Sequence, residues 1–542
     1  MAKKKYWQQF PIYQIYPRSF CDSNGDGIGD LQGIISKLDY IRDLGVKMIW
    51  LNPVYKSPLD DMGYDVADYK SIHPDYGSMK DMDLLIQEAK KRDIRIIMDL
   101  VVNHTSDEHE WFVKSKDKNS PYHDYYYWRK GKNNNTEPPN NWTSMFTGPA
   151  WEYVPEVGEW YLHLYSKKQP DLDWHNPKVL EEVESIITFW LDKGVYGFRC
   201  DVINQIYKES LEDSKTHAMS GRGMEFYLMK EGNHKILKAI YEDIFSKRED
   251  AVMIGETFNV DKENGLRFLN EHEFDMFFIF DHMYIDKSYN PFWPRRFKAK
   301  KFMDIIYQWQ IEMPWMANYL ENHDQRRSVT RFGDGIHNEE VAKLLGLLNL
   351  TLRGTPFVYQ GEEIGMTDLP YFETREQCKD VAVLYILDIA KRLHFPNRFA
   401  LKFVNQFNRD HARTPMQWDE SKNGGFSSAE TTWLPVNPNY QTLNAKAQEK
   451  EGSVLDFYRK LIAYRNGSKT LQEGSFKPLK FKGNLFGFIR ECEGERLLSI
   501  LNFGKKNVKM PAEYLKGETI ISNYPDGGDT LRPYEARLIK LS

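Results

Sequence analysis

Gly197-Phe198-Arg199-Cys200-Asp201-Val202-Ile203-Asn204 is the stretch from which the rest of the chain is read. Val195, Tyr196 and Phe198 form a short apolar strand that runs straight into Arg-x-Asp. Strand side chains alternate, so Arg199 and Asp201 point one way and Cys200 the other, into the wall as packing. A neighbouring cation favours the charged form of a carboxyl, so Arg199 is expected to keep Asp201 ionised. An oriented, charged carboxylate at a strand end can serve as a covalent nucleophile. A purely structural Arg–Asp pair would look the same; the company it keeps decides.

Outward from this strand the chain alternates apolar strands with helical patterns. Strands are expected at 11–20, 47–52, 94–102, 195–201, 251–256, 276–280, 315–321 and 355–360. Helices are expected between them, at 30–44, 79–91, 179–193, 235–245, 263–270, 302–312 and 339–352. Continuous apolar strands alternating with helices mark a parallel sheet covered on both faces. Eight such units give an α/β chain folded as a (β/α)8 TIM barrel. Residues 105–174 break the rhythm after the third strand and are expected to form an inserted subdomain. A second long excursion, 361–424, follows the eighth strand. Short alternating strands at 486–490, 496–502 and 536–541 predict a C-terminal antiparallel β domain. The division is 1–104 and 175–474 for the barrel, 105–174 for the insert and 475–542 for the C-terminal domain.

The chain has 542 residues, too many for one simple core. No apolar run reaches the roughly 20 residues of a membrane span, and the basic start lacks the apolar stretch of a secretory signal. Cys21, Cys200, Cys378 and Cys492 have no paired spacing, so neither a disulfide framework nor a zinc site is expected; a reducing cytoplasm fits. A formal net charge of −5 argues against nucleic acid as a partner. Aromatic residues make up 14 % of the chain, which suits both sugar stacking and ordinary cores.

Barrel enzymes keep their chemistry at the C-terminal ends of the strands. Those ends carry His104, Arg199 with Asp201, Glu256, and His323 with Asp324. Three carboxylates, two histidines and an arginine at one rim are costly to bury unless they are used. Asp99-x-Val-x-Asn103-His104, Gly197-Phe198-Arg199-x-Asp201, Gly255-Glu256-Thr257 and Asn322-His323-Asp324 resemble the four signature regions of the α-amylase superfamily, glycoside hydrolase family 13. Gln169-Pro170-Asp171-Leu172 and Ala412-Arg413-Thr414-Pro415-Met416-Gln417-Trp418 resemble its oligo-1,6-glucosidase subfamily.

The resemblance implies a retaining, exo-acting α-glucosidase that prefers α-1,6 bonds of short oligosaccharides such as isomaltose. Asp201 would be the nucleophile, Glu256 the acid/base and Asp324 the carboxylate that steadies the transition state. Chemistry agrees: retention needs one charged carboxylate and one protonated carboxyl. Glu256 follows an apolar run, the setting of a carboxyl that holds its proton. His104 and His323 can donate to sugar hydroxyls. By resemblance Asp61, Tyr64 and Arg413 close the pocket around glucose, with Phe146, Arg199, Val202 and Phe258 as further contacts. Arg409 competes with Arg413 for its place. Val202, next to the nucleophile, is expected at the pocket rim facing away from Asp201, and in relatives Val there accompanies α-1,6 preference.

Asp22-x-Asn24-x-Asp26-Gly-x-Gly-Asp30 sets oxygen ligands on alternate residues of a Gly-rich loop. It lacks the twelfth-position Glu and the preceding helix of an EF-hand, and a solvated loop would also explain it. The resemblance implies a structural Ca²⁺ held by Asp22, Asn24, Asp26 and Asp30, with the Ile28 carbonyl. No organic cofactor, nucleic acid or membrane partner is expected, and the state is a monomer or weak homo-oligomer.

Same-scaffold alternatives are a trehalose-6-phosphate hydrolase, a sucrose or α-1,4-glucosidase, and a sucrose isomerase. Gln325-Arg326-Arg327 departs from the Gln-Pro-Arg of relatives and leaves acceptor preference open. A non-catalytic binding relative would have lost carboxylates that this chain keeps.

Overall fold

A computed structural model describes residues 5–218, 220–248, 250–286, 296–525 and 527–542. Residues 1–4, most of the basic start, lie outside the described set. Eight parallel strands form one curved sheet: β1 (Ile12–Ile15), β2 (Met48–Leu51), β3 (Arg95–Leu100), β4 (Gly197–Cys200), β5 (Val252–Glu256), β6 (Met276–Phe278), β7 (Ala317–Asn318) and β8 (Thr355–Tyr359). Their order is β6-β5-β4-β3-β2-β1-β8-β7, so every strand pairs with its sequence neighbour except across β6 and β7, and β1 pairs with β8. The seam between β6 and β7 carries no ladder; it is closed by side chains, with Phe278 edge-on to Tyr319 at 5.2 Å. This is the expected barrel, nearly closed.

Burial explains why the strands read as uninterrupted apolar runs. Every residue of β1, β2, β4, β5, β6 and β8 is buried, because the helices cover one face and the barrel interior fills the other. Gly197 pairs with Val252 of β5, and a Cβ there would stand 2.1 Å from the Val252 carbonyl oxygen.

Several local expectations change. The first strand, expected over 11–20, ends at Ile15 and gives way to a 3-10 turn at Pro17–Ser19, where Pro17 starts the turn. The helix expected over 30–44 is two, Leu31–Ser36 and Leu38–Leu44, broken at Lys37. Asp30 caps the first by accepting from Gly33 N at 2.6 Å. The seventh strand shrinks to Ala317–Asn318. A small antiparallel pair, Tyr55–Lys56 with Asp68–Ile72, fills the loop after β2. The C-terminal sheet has five strands, β9 (Ser475–Leu479), β10 (Leu485–Cys492), β11 (Glu495–Asn502), β12 (Glu518–Ser522) and β13 (Ala536–Leu541), in the order β9-β10-β11-β13-β12. Sequence showed only its three most apolar members, because β9 and β12 are half exposed and carry charge.

The insert holds a three-stranded antiparallel sheet, with Glu159–Leu162 between Trp128–Arg129 and Trp151–Val154. Leu172 N donates to Asn103 O at 3.0 Å, so the end of the insert is tied back to the end of β3. Among the described residues no helix is long and apolar enough to cross a membrane.

Candidate active site

The site begins with Arg199. Its side chain is 1 % exposed, at the rim end of β4, and a guanidinium so buried needs anionic partners. It has three: Nη1 reaches Asp99 Oδ1 at 2.5 Å and Asp201 Oδ1 at 2.8 Å, while Nη2 stands against Glu256 Oε1. Asp99 is fixed from behind by Trp50 Nε1 at 3.1 Å and Tyr64 OH at 3.2 Å. Asp99 belongs to the quoted β3 motif, but no role had been read for it; a carboxylate inside an apolar strand was the available signal.

The expectation that Arg199 leaves Asp201 simply ionised needs correction. Burial pushes the Asp201 carboxyl well up, Arg199 opposes it, and Glu256, Asp99 and Asp324 push further up. Arg199 is shared among three carboxylates, so it offsets only part of what burial and the neighbouring charges do to Asp201.

Val202 also departs from the strand reading. β4 ends at Cys200, and Val202 takes φ 37° and ψ 36°, a left-handed conformation that is strained for a β-branched residue. Strand alternation therefore stops before Val202. Its N–H turns to Glu256 Oε2, at 3.2 Å, and its side chain lines the cavity. Asn204 extends the link between the two strand ends: its Nδ2 donates to Phe258 O at 2.8 Å, and Phe258 N donates back to its Oδ1 at 3.2 Å.

On the opposite wall Asp324 follows β7. Burial pushes its carboxyl up, but His323, Arg409 and Arg413 outweigh that and hold it well below the usual range. Arg413 Nη2 reaches it at 2.8 Å and Arg409 Nη1 at 3.0 Å. Both arginines thus hold Asp324, and Arg409 additionally reaches Asp380 at 2.7 Å and Asp61 at 3.5 Å. Asp380, one of many acids in the excursion after β8, carries no sequence signal of its own.

Each histidine is oriented by amides. His104 Nδ1 lies 3.1 Å from Asn103 Nδ2, which leaves Nε2–H to donate to Tyr64 O at 3.0 Å. Burial pushes His104 down to about 4, so it is neutral. His323 Nδ1 meets Gln14 Nε2 at 2.9 Å and Asn52 Nδ2 at 3.2 Å. Its Nε2 then carries the hydrogen, between Tyr64 OH at 2.8 Å and Asp324 Oδ2 at 2.9 Å. Tyr64 stacks on its ring at 5.3 Å.

The walls enclose a cavity of about 2210 Å³. Asp61, Tyr64, His104, Phe146, Asp201, Val202, Glu256, Phe258 and Asp324 line it. Arg199, His323 and Arg413 stand behind that lining and act through Asp201 and Asp324. Arg409 lies in the lining, where Arg413 had been expected, with its guanidinium 5.6 Å from the Phe146 ring. Asp61 is held by Gln169 Nε2 at 3.2 Å. Burial pushes its carboxyl up to about 7, against the pull of Arg409 and Arg413.

The loop Asp22–Asp30 lies on another part of the surface, against 426–427. Its donors are all oxygens, a set that suits a hard cation. Asp22 Oδ1 accepts from both Asn24 N at 3.0 Å and Gly25 N at 2.7 Å, whereas Asn24 Oδ1 accepts from Asp26 N alone at 2.9 Å and Asp26 Oδ1 from Ile28 N alone at 2.8 Å, so the last two keep a lone pair. Among the described residues, no three His, Cys, Asp or Glu side chains are grouped as a metal site. Asn24 and the Ile28 carbonyl would have to complete the shell.

The family described as the α-amylase catalytic domain matches residues 14–474. The oligo-1,6-glucosidase of Parageobacillus thermoglucosidasius is 44 % identical, over 99 % of each chain. The glucan 1,6-alpha-glucosidase of Streptococcus pneumoniae is 42 % identical, over 96 % of each. Among solved structures, the trehalose-6-phosphate hydrolase of Bacillus licheniformis superposes with TM-score 0.92 at 37 % identity, covering 99 % of this chain and 100 % of that one. The isomaltulose synthase of Klebsiella sp. LX3 superposes with TM-score 0.94 at 37 % identity, covering all of both chains.

Proposed function

The chain belongs to the α-amylase family of glycoside hydrolases, and from that premise we propose a retaining, exo-acting α-glucosidase that cleaves terminal α-1,6 bonds of short oligosaccharides such as isomaltose. The observation that carries this reading is the shared hold of Arg199 on Asp201 and Glu256. It fixes two carboxyl groups side by side at one rim, as double displacement requires.

In the reactive form Glu256 is the proton donor and Asp201 the charged nucleophile. Asp201 attacks the anomeric carbon while Glu256 protonates the departing glycosidic oxygen. Glu256 then takes a proton from water, which attacks the same carbon and releases Asp201. Asp324, kept charged by Arg409 and Arg413, accepts hydrogen bonds from glucose hydroxyls that tighten as the ring flattens. Asp61, His104 and Tyr64 close the end of the pocket, which supports removal of one terminal glucose at a time. Val202, bulky and rotamer-restricted beside Asp201, favours the flexible CH₂ of a 6-linked acceptor.

In the Asp22–Asp30 loop we place a structural Ca²⁺, held by Asp22, Asn24, Asp26, Asp30 and the Ile28 carbonyl, which would lend stability to the fold. Four unpaired cysteines support a cytoplasmic enzyme working as a monomer or weak homo-oligomer.

The test is product analysis on isomaltose, panose, maltose, sucrose and trehalose 6-phosphate. Isomaltose should have the highest kcat/KM. Preference for trehalose 6-phosphate, or conversion of sucrose to an isomer, would assign the chain to the activity of its structural relatives.

A further inference from the structure

The helix Val381–Arg392, in the excursion after β8, is apolar on two faces. Val383 and Leu387 are buried in a small core with Leu401 and Val404 of the next helix, Asn397–Val404. Ala382, Tyr385, Ile386 and Ile389 follow at i, i+3, i+4 and i+7, so they share a second face. All four line the catalytic cavity, where Phe403 and Phe407 continue the wall. Tyr385 and Ile389 are 39 % and 37 % exposed. A second apolar face turned to an open cavity is the mark of a surface with a ligand.

The stripe is moored to the reacting centre. Asp380 caps the helix by accepting from Ala382 N at 3.1 Å and also accepts from Arg409 at 2.7 Å. Arg409 in turn reaches Asp324 at 3.0 Å. The stripe therefore starts beside the glucose pocket and leads away from it. Ala382 to Ile389 spans about 10 Å at the rise of a helix, the reach of an extended chain of about eight carbons. The insert lies across from its first turn: a Cβ at Gly148 would meet the Tyr385 hydroxyl at 2.7 Å. Tyr385 thus bridges the two excursions and roofs the start of the stripe.

The side chains of Ala382, Ile386, Ile389, Phe403 and Phe407 offer a sugar chain no hydrogen bond, and the polar groups beside them are the Tyr385 hydroxyl and Gln406. We propose that this stripe binds the aglycone of α-glucosides carrying an alkyl chain, an inference that rests on the α-glucosidase reading above. Glucose fills the pocket at Asp201, and the chain lies along Ala382–Ile389. Asp201 forms the bond to the anomeric carbon as the bond to the alkoxy oxygen breaks. Glu256 supplies the proton and the alcohol departs; water then frees the glucose and restores the proton to Glu256.

The test compares octyl with methyl α-D-glucopyranoside, below the micelle concentration of the former. Wild type should favour octyl by about tenfold or more in kcat/KM. Ile386→Asn/Ile389→Asn should bring that ratio to within about twofold of one. The ratio is taken on a single preparation, so any loss of folded protein cancels. If the double variant yields none, Ile389→Ser at the half-exposed position should lower the ratio in the same direction. Wild type that turns over isomaltose but treats both glucosides alike overturns the inference and leaves the α-glucosidase reading standing. So does a ratio that these substitutions do not move. Wild type that turns over neither isomaltose nor methyl glucoside overturns the parent reading, and this one with it.

Discussion

The backbone N–H of Val202, one residue past Asp201, lies 3.2 Å from Oε2 of Glu256. It gets there because Val202 adopts φ 37°, leaving the strand ladder immediately after Asp201. A β-branched residue in that conformation costs on the order of 1–3 kcal/mol, which the surrounding contacts must offset. The strain thus sits where one carboxyl group is registered against the other.

Val202→Thr keeps the β-branch but places a hydroxyl at the rim. The ratio of isomaltose to maltose kcat/KM should fall or reverse, by up to roughly a hundredfold, since one methyl-sized contact is worth about 1–3 kcal/mol. Wild type that prefers maltose, or a variant with the wild-type ratio, would refute the linkage assignment.

Glu256→Gln keeps size and shape but cannot deliver a proton. Turnover of isomaltose should drop by about 10³ or more. An aryl glucoside, whose phenol leaves with less help, should lose far less in formation of the glycosyl-enzyme. Equal losses on both substrates would show that Glu256 does not protonate the leaving oxygen.

Asp61 gives a pH signature. Its carboxyl is raised to about 7 by burial, against an ordinary value of 3.8. A raised carboxyl stabilises the fold fully below its unfolded value and loses that contribution as pH climbs through its folded value. Melting temperature should therefore fall between about pH 4 and 7, and Asp61→Asn should flatten that part of the fall by a few degrees. Parallel pH profiles for both proteins would contradict the assignment.

Chelation tests the Asp22–Asp30 loop. Removing a cation that binds only the folded chain should lower the melting temperature by a few degrees and leave the initial rate nearly unchanged. Should Asp26→Ala melt as wild type does, with and without Ca²⁺, the loop carries no working site.

The barrel was legible because burial on both faces writes apolar strands at regular intervals; β3 through β5 could be placed within two residues. What escaped was structure whose signal is not periodic. Val202 was read by strand alternation, yet the strand ends at Cys200 and its backbone turns left-handed. Arg413 was expected to face the sugar, but the lining position belongs to Arg409, because the short helix Asp410–Arg413 carries Arg413 Nε behind the wall to His323 O at 2.9 Å. Asp99 and Asp380 act through guanidinium groups that are 100 and 29 residues away in sequence, and no local pattern announces such partners.

Double displacement on Asp201 is reported most directly by the anomer of the first glucose released. Proton NMR during the first turnovers of isomaltose, before mutarotation, should show α-glucose accumulating. Initial β-glucose would mean a single inverting attack by water, and would contradict the nucleophilic role of Asp201.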